Sequence, residues 1–340
     1  MAGNGVGIGV VGYGYWGPNL VRNFNSAPGA RVVAVCDQSP QRRAQVEALY
    51  PAVKTYADVE SMLTDPKLDA VAIATPVSTH FKLSLAALKA GKHVFVEKPM
   101  TTTSAEAQQL IDEASQRKLT LMVDHTFVYT SVVQKIKSLV QDNSLGKLYY
   151  YDSVRVNLGL FQHDVNVLWD LAVHDLSIMD FILGTAPKMI AATGVASVAG
   201  QPESLAYLTC FFDNDLLAHF HVNWLAPVKV RRTMIGGSEK MIEWDDMQLS
   251  EKLRVYDKGI TVNPTAENVL QLKIGYRAGD MWAPHVPNVE ALQVEARHFV
   301  ECIEQSKRPT TDGEAGLRVV RILEAASESM KRHGQPIEIK

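Results

Sequence analysis

Lys98, Asp170 and His174 are the residues of this sequence whose types and spacing suit acid–base chemistry on a substrate hydroxyl. Lys98 stands in Glu97-Lys98-Pro99, directly after the apolar run 93–96. A residue before proline is held toward extended backbone, which aims the Lys98 side chain from a strand end. An ammonium there can hydrogen-bond a hydroxyl and favour its alkoxide. The ordinary alternative, a solvated surface lysine, fits a strand-end position less well. Asp170 and His174 lie four residues apart in a helical pattern, so they share one face, with Ser177 near it. Leu168, Leu171, Ala172, Met179, Ile182 and Leu183 form a separate apolar stripe. A carboxylate beside an imidazole orients it and favours its protonated form, which suits a general base near neutral pH. Spacing alone does not separate that reading from a structural surface pair.

The elements that must position these groups begin with Gly12-Tyr13-Gly14-Tyr15-Trp16-Gly17. This glycine-rich turn follows the apolar run 6–11 and precedes a segment, 18–24, that can be helical. Asp37 closes a second apolar run, twenty residues beyond Gly17. In this strand–turn–helix–strand–acid order the pattern predicts a dinucleotide site. Gly12 permits the tight turn, Gly14 the approach of a pyrophosphate, and Gly17 close helix–strand packing. The helix N-terminus offers N–H groups to the anion, and Asp37 can accept from a ribose diol. Tyr15 and Trp16 of the same loop belong to the expected cofactor contacts, as do Thr75, Pro76 and His80 after the run 70–74, and Glu97 and Lys98 after the run 93–96. Ser78 also reads as a helix N-cap.

Short apolar runs at 6–11, 32–36, 70–74, 93–96 and 120–123 alternate with helical patterns at 41–49, 79–90 and 104–117. That alternation predicts an α/β domain over residues 1–123, a parallel sheet covered on both faces. Residues 124–340 read differently. Helices are expected at 132–141, 167–183, 289–306 and 313–333, and the strand-like runs between 149 and 256 suggest a largely antiparallel sheet. The C-terminal helix is expected to pack back on the first domain, and 258–287 reads as a long loop. His219 and His221 alternate on one strand and fit a sheet face better than a metal site, since no third ligand has suitable spacing.

The formal net charge is −3, and no run of like charge exceeds a pair, so nucleic acid and anionic membrane are not expected partners. No stretch approaches the length of a membrane span, and the first residues lack a basic region followed by an apolar core, which points to the cytoplasm. Cys36, Cys210 and Cys302 are widely spaced and read as buried thiols.

Taken together, the segment 10–17, Asp37, the segment 74–80, Glu97-Lys98-Pro99 and Asp170-x-x-x-His174 resemble the glucose–fructose oxidoreductase/inositol dehydrogenase family, Gfo/Idh/MocA, over essentially the whole chain. The resemblance implies a Rossmann domain followed by an α+β domain with an open, mainly antiparallel sheet that mediates dimers or tetramers. It implies NAD(P)-dependent oxidation or reduction of a sugar or cyclitol hydroxyl. Lys98 matches the family's active-site lysine, His174 its acid/base and Asp170 the partner carboxylate. Many members carry an arginine–aromatic pair after the sixth strand. Here the segment is Asp124-His125-Thr126-Phe127-Val128-Tyr129, and the arginine is missing. The segment 155–162 is similar to a subgroup from nucleotide-sugar and polysaccharide biosynthesis, which makes Arg155, Asn157 and Gln162, with His125, candidate substrate contacts. Asp37 favours NAD, while Ser39, Arg42 and Arg43 could accommodate the extra phosphate of NADP. The expected reaction is hydride transfer at C3 of a nucleotide-linked hexose. The alternatives are a free-sugar or inositol dehydrogenase, a glycosidase acting by transient C3 oxidation, and a non-catalytic sensor.

Overall fold

Runs of Val, Ile and Ala with no polar alternation form strands buried on both faces, and six of them build a parallel sheet. A computed structural model describes residues 5–159, 165–262 and 274–339. The strands are β1 (Val6–Val11), β2 (Ala30–Cys36), β3 (Lys54–Tyr56), β4 (Ala70–Ile73), β5 (His93–Glu97) and β6 (Leu121–Asp124). Their spatial order is β3-β2-β1-β4-β5-β6, with every pairing parallel. The order reverses between β1 and β4, and ligands of such sheets bind outside the strand carboxyl ends at that switch point. Helices α1 (Gly17–Ser26), α2 (Pro40–Leu49), α3 (Val59–Leu63), α4 (Val77–Lys89) and α5 (Ser104–Arg117) connect the strands. The three-residue β3 and five-residue α3 were too short to stand out by periodicity. One cap differs from expectation: helix α4 starts at Val77, so Ser78 lies inside it. Helix α5 is capped by Thr103, which accepts from the Glu106 N–H at 3.2 Å.

The chain divides into two compact units. The first comprises residues up to Thr130 together with Val289–Arg321, and the second comprises Ser131–Asn288 and Ile322–Lys340. The division expected after 123 therefore falls at 130, and two contacts account for the shift. The 3₁₀ turn Thr126–Tyr129 is anchored in the first unit by a 3.0 Å hydrogen bond between the Tyr129 and Thr311 hydroxyls. Helix α8 (Ala291–Gln305) buries Phe299 edge-on against Phe24 of α1 and Phe95 of β5, with ring centroids 6.0 and 5.5 Å away. Helix α9 (Gly313–Lys331) begins in the first unit and ends in the second.

The second unit contains α6 (Ser131–Gln141), β7 (Leu148–Leu158), α7 (Val173–Leu183), β8 (Met189–Val195), β9 (Leu205–Phe211), β10 (Leu217–Asn223) and β11 (Leu225–Gly237). It continues with β12 (Met241–Asp245), β13 (Leu253–Tyr256), β14 (Gly259–Val262), β15 (Ile274–Arg277), β16 (Met281–Trp282) and β17 (Ile337–Glu338). The nine-stranded open sheet runs β16-β13-β12-β11-β7-β10-β9-β8-β17, antiparallel except for the β7–β10 pair. The described residues of the stretch expected as a loop carry β14, β15 and β16. Ala218, Phe220 and Val222 point to the buried face of β10, which leaves His219 and His221 on the other face, where His221 stacks on Tyr207 at 4.5 Å.

Candidate functional site

In the first unit an open cleft of about 1060 Å³ lies at the β1/β4 switch point. It brings together Gly12, Gly14, Tyr15, Asp37, Thr75 and Pro76 of the expected set, and also Arg42. The glycines fit a dinucleotide. Gly12 has φ +93°, and a Cβ there would come within 2.5 Å of the Ala74 carbonyl oxygen. A Cβ on Gly17 would lie 2.1 Å from the Gly12 oxygen, so its role is close packing. At Gly14 the nearest atom to such a Cβ is the Arg42 guanidinium, 3.6 Å away, and that spare room is what a pyrophosphate needs. No side chain caps α1, which leaves its N-terminus to an anion.

Asp37 is pinned for its task. Its Oδ2 accepts from the Tyr13 N–H at 2.7 Å and its Oδ1 from the Ser39 N–H at 2.8 Å. Arg42 Nη1 stands 3.4 Å from Oδ2. A carboxylate has about four acceptor positions, so capacity remains for a ribose diol. Arg43 is committed elsewhere, donating to the backbone oxygens of Asp37 and Gln38 at 2.7 and 3.0 Å.

Trp16, Gly17, Glu97 and Lys98 lie outside the cleft lining. Lys98 directly follows β5 and precedes Pro99 across a cis peptide bond. His80 is a correction to the expected cofactor contacts. It is buried, with Nδ1 2.8 Å from the Pro99 oxygen and Nε2 2.8 Å from the Thr75 oxygen. Burial pushes its pKa below the usual histidine range, and the neutral ring can donate to only one of the two carbonyls. His80 is therefore a strut between two loops. His125, at the end of β6, is 2% exposed and neither ring nitrogen has a hydrogen-bond partner. Burial lowers its pKa to about 4, so the ring is neutral at physiological pH.

In the second unit, Asp170 sits in a π-helical turn, Leu168–Ala172, that runs straight into α7 carrying His174. Such turns interrupt α-helices frequently at functional sites. Asn166 Oδ1 accepts from the Leu168 and Trp169 N–H groups at 3.1 and 3.4 Å and so starts the turn. Asp170 Oδ2 accepts from the indole N–H of buried Trp224 at 3.0 Å. The next residue after His174, Asp175, forms a buried bidentate pair with Arg155, at 2.6 and 3.0 Å, and accepts from the Ser153 hydroxyl at 3.1 Å. Arg155 is thus a second correction. Only 3% of its surface is exposed and its Nε and Nη2 bind Asp175, so it anchors the first turn of α7 to β7. Asn157 stays half-buried near Trp224: a Cβ on Gly159 would lie 3.0 Å from Asn157 Nδ2 and 2.9 Å from Trp224 Cδ1. Gln162 lies outside the described residues.

Two contributors, Trp224 and Glu295, are absent from the sequence reading, and Trp16, expected at the cofactor, gives its indole N–H to Asp124. Glu295 lies within a helix. Its signal was present: an acid in the stripe Leu292, Ala296, Phe299 of α8, where an apolar residue belongs.

Comparison with known proteins agrees with this architecture. Residues 6–125 match the oxidoreductase family with an NAD-binding Rossmann fold, GFO_IDH_MocA, and residues 133–243 match the GFO/IDH/MocA C-terminal domain. The chain belongs to the Gfo/Idh/MocA oxidoreductases and is an NAD-dependent enzyme of that family. It is 28% identical to UDP-N-acetylglucosamine 3-dehydrogenase of Acidithiobacillus ferrooxidans, over 92% of this chain and 93% of that protein. It is 25% identical to scyllo-inositol 2-dehydrogenase (NAD(+)) of Bacillus subtilis, over 98% and 95% of the two chains. The fold superposes on the WlbA dehydrogenase of Bordetella pertussis, solved with NADH and UDP-GlcNAcA, with TM-score 0.81, 17% identity and 99% of each chain covered. Among the described residues no helix is long and apolar enough to cross a membrane.

Proposed function

We propose that this enzyme oxidises or reduces C3 of a nucleotide-linked hexose, with His174 as the base, Lys98 as the group that stabilises the alkoxide, and Asp170 as the carboxylate that orients the imidazole. The observation that carries this reading is the π-turn. It holds Asp170 by an indole N–H one helical turn from His174, an arrangement a structural surface pair does not need. In the oxidative direction His174 takes the hydroxyl proton while the Lys98 ammonium hydrogen-bonds the developing alkoxide. NAD, when bound, supplies the acceptor for the hydride that leaves the carbinol carbon, and the ketone is the product. Gly12, Gly14, Asp37 and the Thr75-Pro76 segment hold the dinucleotide. Asp37 disfavours a 2′-phosphate, which makes NAD the preferred cofactor; titration with NADH and NADPH tests that preference.

The orphaned nitrogens of His125 support its candidacy as a substrate contact, since the neutral ring is able to donate one hydrogen bond and accept one. Asn157 is the second candidate, and Gln162 a third. The UDP-N-acetylglucosamine specificity of one relative supports the nucleotide sugar, and the scyllo-inositol specificity of another makes a free cyclitol the runner-up. Met189, Val195, Tyr207 and Leu217 are exposed on one face of the nine-stranded sheet, which supports assembly with a second copy of this chain; light scattering tests it. Turnover of nucleotide sugars, free sugars and cyclitols followed by NADH fluorescence distinguishes the substrate classes. Lys98→Met and His174→Ala are each expected to lower kcat by about 10²-fold or more, with NADH affinity little changed. Near-normal turnover in both variants would sink the assignment.

A further inference from the structure

Three carboxyl groups converge beside Lys98. Glu97 at the end of β5 and Asp124 at the end of β6 are register partners across neighbouring strands. Glu295 reaches them from α8 and is completely buried. Hydrogen-bond donors are distributed unevenly among the three. Asp124 accepts from the Trp16 indole N–H at 3.1 Å and from the Thr126 hydroxyl. Glu97 Oε1 and both Glu295 oxygens are buried with no hydrogen bond of good geometry, and the Thr126 hydroxyl, the donor nearest Glu295, is given to Asp124. An ionised carboxylate can only accept, and a buried acceptor without a donor is costly. A proton on each glutamate turns the orphaned acceptor into a donor whose natural partner is Asp124.

The charges around the group point the same way. Lys98 is the cation beside Glu97. His125 is neutral, and the Tyr129 phenol near Glu295 is held un-ionised by burial first and by Glu295 second. Burial, and then the Asp124 charge, hold the Glu97 and Glu295 carboxyls well above the usual carboxylate range. The three side chains do not form a metal-holding group, of which there is none among the described residues.

We infer that Glu97, Asp124 and Glu295 form a proton-sharing cluster, two neutral glutamic acids hydrogen-bonded to one aspartate, that positions Lys98 and ties the glycine loop to the ends of β5 and β6 through Trp16. The cluster carries a single negative charge against the single positive charge of Lys98. Trp16 belongs to the loop expected to hold the dinucleotide, so Asp124 links that loop to the end of β5, the residue before Lys98. The effect on turnover rests on the role proposed for Lys98; the protonation pattern does not.

The test is infrared spectroscopy of the full chain at neutral pH with Glu97→Gln and Glu295→Gln. Each variant should fold, keep its NADH affinity within about threefold, and lose one C=O stretch of a neutral carboxylic acid that shifts in D₂O. Loss of an ionised-carboxylate band instead, or failure of either isosteric variant to fold, overturns the cluster. Asp124→Asn removes the one charge and should lower kcat about tenfold with a smaller change in KM. Should that variant not fold, Trp16→Phe deletes only a donor and should lower kcat in the same direction; unchanged kcat in a folded Asp124→Asn, or in Trp16→Phe, overturns the positioning role. Acid C=O bands present with a fully active Lys98→Met would sink the catalytic assignment and leave the cluster standing. Their absence with an inactive Lys98→Met would do the reverse.

Discussion

In each unit of the chain an acid close in sequence to a histidine accepts from a tryptophan indole. Trp16 donates to Asp124 at 3.1 Å in the first unit, and Trp224 to Asp170 at 3.0 Å in the second. The surroundings then diverge. Asp124 and Glu295 are buried beside the buried Oε1 of Glu97, and the adjacent His125 is buried and neutral. Asp170 lies half-open in a π-turn, with His174 also half-open one turn later. One donor type therefore serves two ends. Sealed from water, the indole selects which member of an acid cluster carries the charge. At a partly open site, it aims a carboxylate. A histidine that must exchange protons with a substrate needs the second environment, and one that offers fixed hydrogen bonds suits the first.

The sharpest way to break this contrast is to cut the anchor under the second pair. Arg155→Met leaves Asp175 charged and buried, and removal of one partner of such a pair costs about 3–5 kcal/mol. Thermal unfolding should show a large fall in Tm, and kcat in the surviving fraction should fall because α7 loses the tie that places His174. Arg155→Met combined with Asp175→Leu removes both charges and should recover most of the Tm but not the kcat. Recovery of both would mean that the pair has no part in placing His174.

The indoles come next in size. Trp224→Phe removes the indole N–H that Asp170 accepts, and should lower kcat about tenfold while leaving NADH affinity alone. Trp16→Phe should disturb both, because the same side chain sits in the loop that meets the dinucleotide. Equal effects on kcat and NADH affinity in the two variants would erase the distinction between the sites.

The glycine loop, the strand alternation and Lys98 were legible because each depends on local sequence: φ at Gly12, continuous apolar runs, and the end of a strand. The contacts that give the site its character are not local. Asp124 meets Trp16 across 108 residues, and Asp170 meets Trp224 across 54. Arg155 illustrates the cost. An arginine two residues from Asn157 on a strand reads as a ligand contact until the chain brings Asp175 to its guanidinium. His80 failed the same way, since the carbonyls that occupy its ring belong to loops on either side. Glu295 could have been flagged, because an acid inside an apolar helical stripe is rare without a reason.

The smallest effect, and the one that tests the sealed cluster by a route independent of turnover, is the dependence of stability on pH. Glu97 and Glu295 have folded pKa values well above 4.5, from burial first and Asp124 second. Above that value the unfolded chain binds fewer protons than the folded one, so stability falls as pH rises toward the folded values. Each group contributes a slope of at most about 1.4 kcal/mol per pH unit. Glu290 has the opposite sign. Hydrogen bonds from Arg22 first and Asn23 second lower it to about 2, so its contribution is present above 4.5 and is lost as pH falls toward that value. It is largely exposed, and solvent screening keeps its share small. Burial lowers the pKa values of His80, His93, His125, His221 and His298, whose contributions rise with pH up to the ordinary histidine range, so the glutamate term is read as a difference: between about pH 5 and about pH 8 the urea midpoint of Glu295→Gln should lose less with rising pH than that of the wild type, by one proton's worth. Arg22→Ala should leave the slope in that range unchanged and move only the acid limb. The same alkaline slope in wild type and Glu295→Gln would mean that Glu295 is already ionised in the folded chain, and the likeness between the two indole-held acids would then extend to their surroundings.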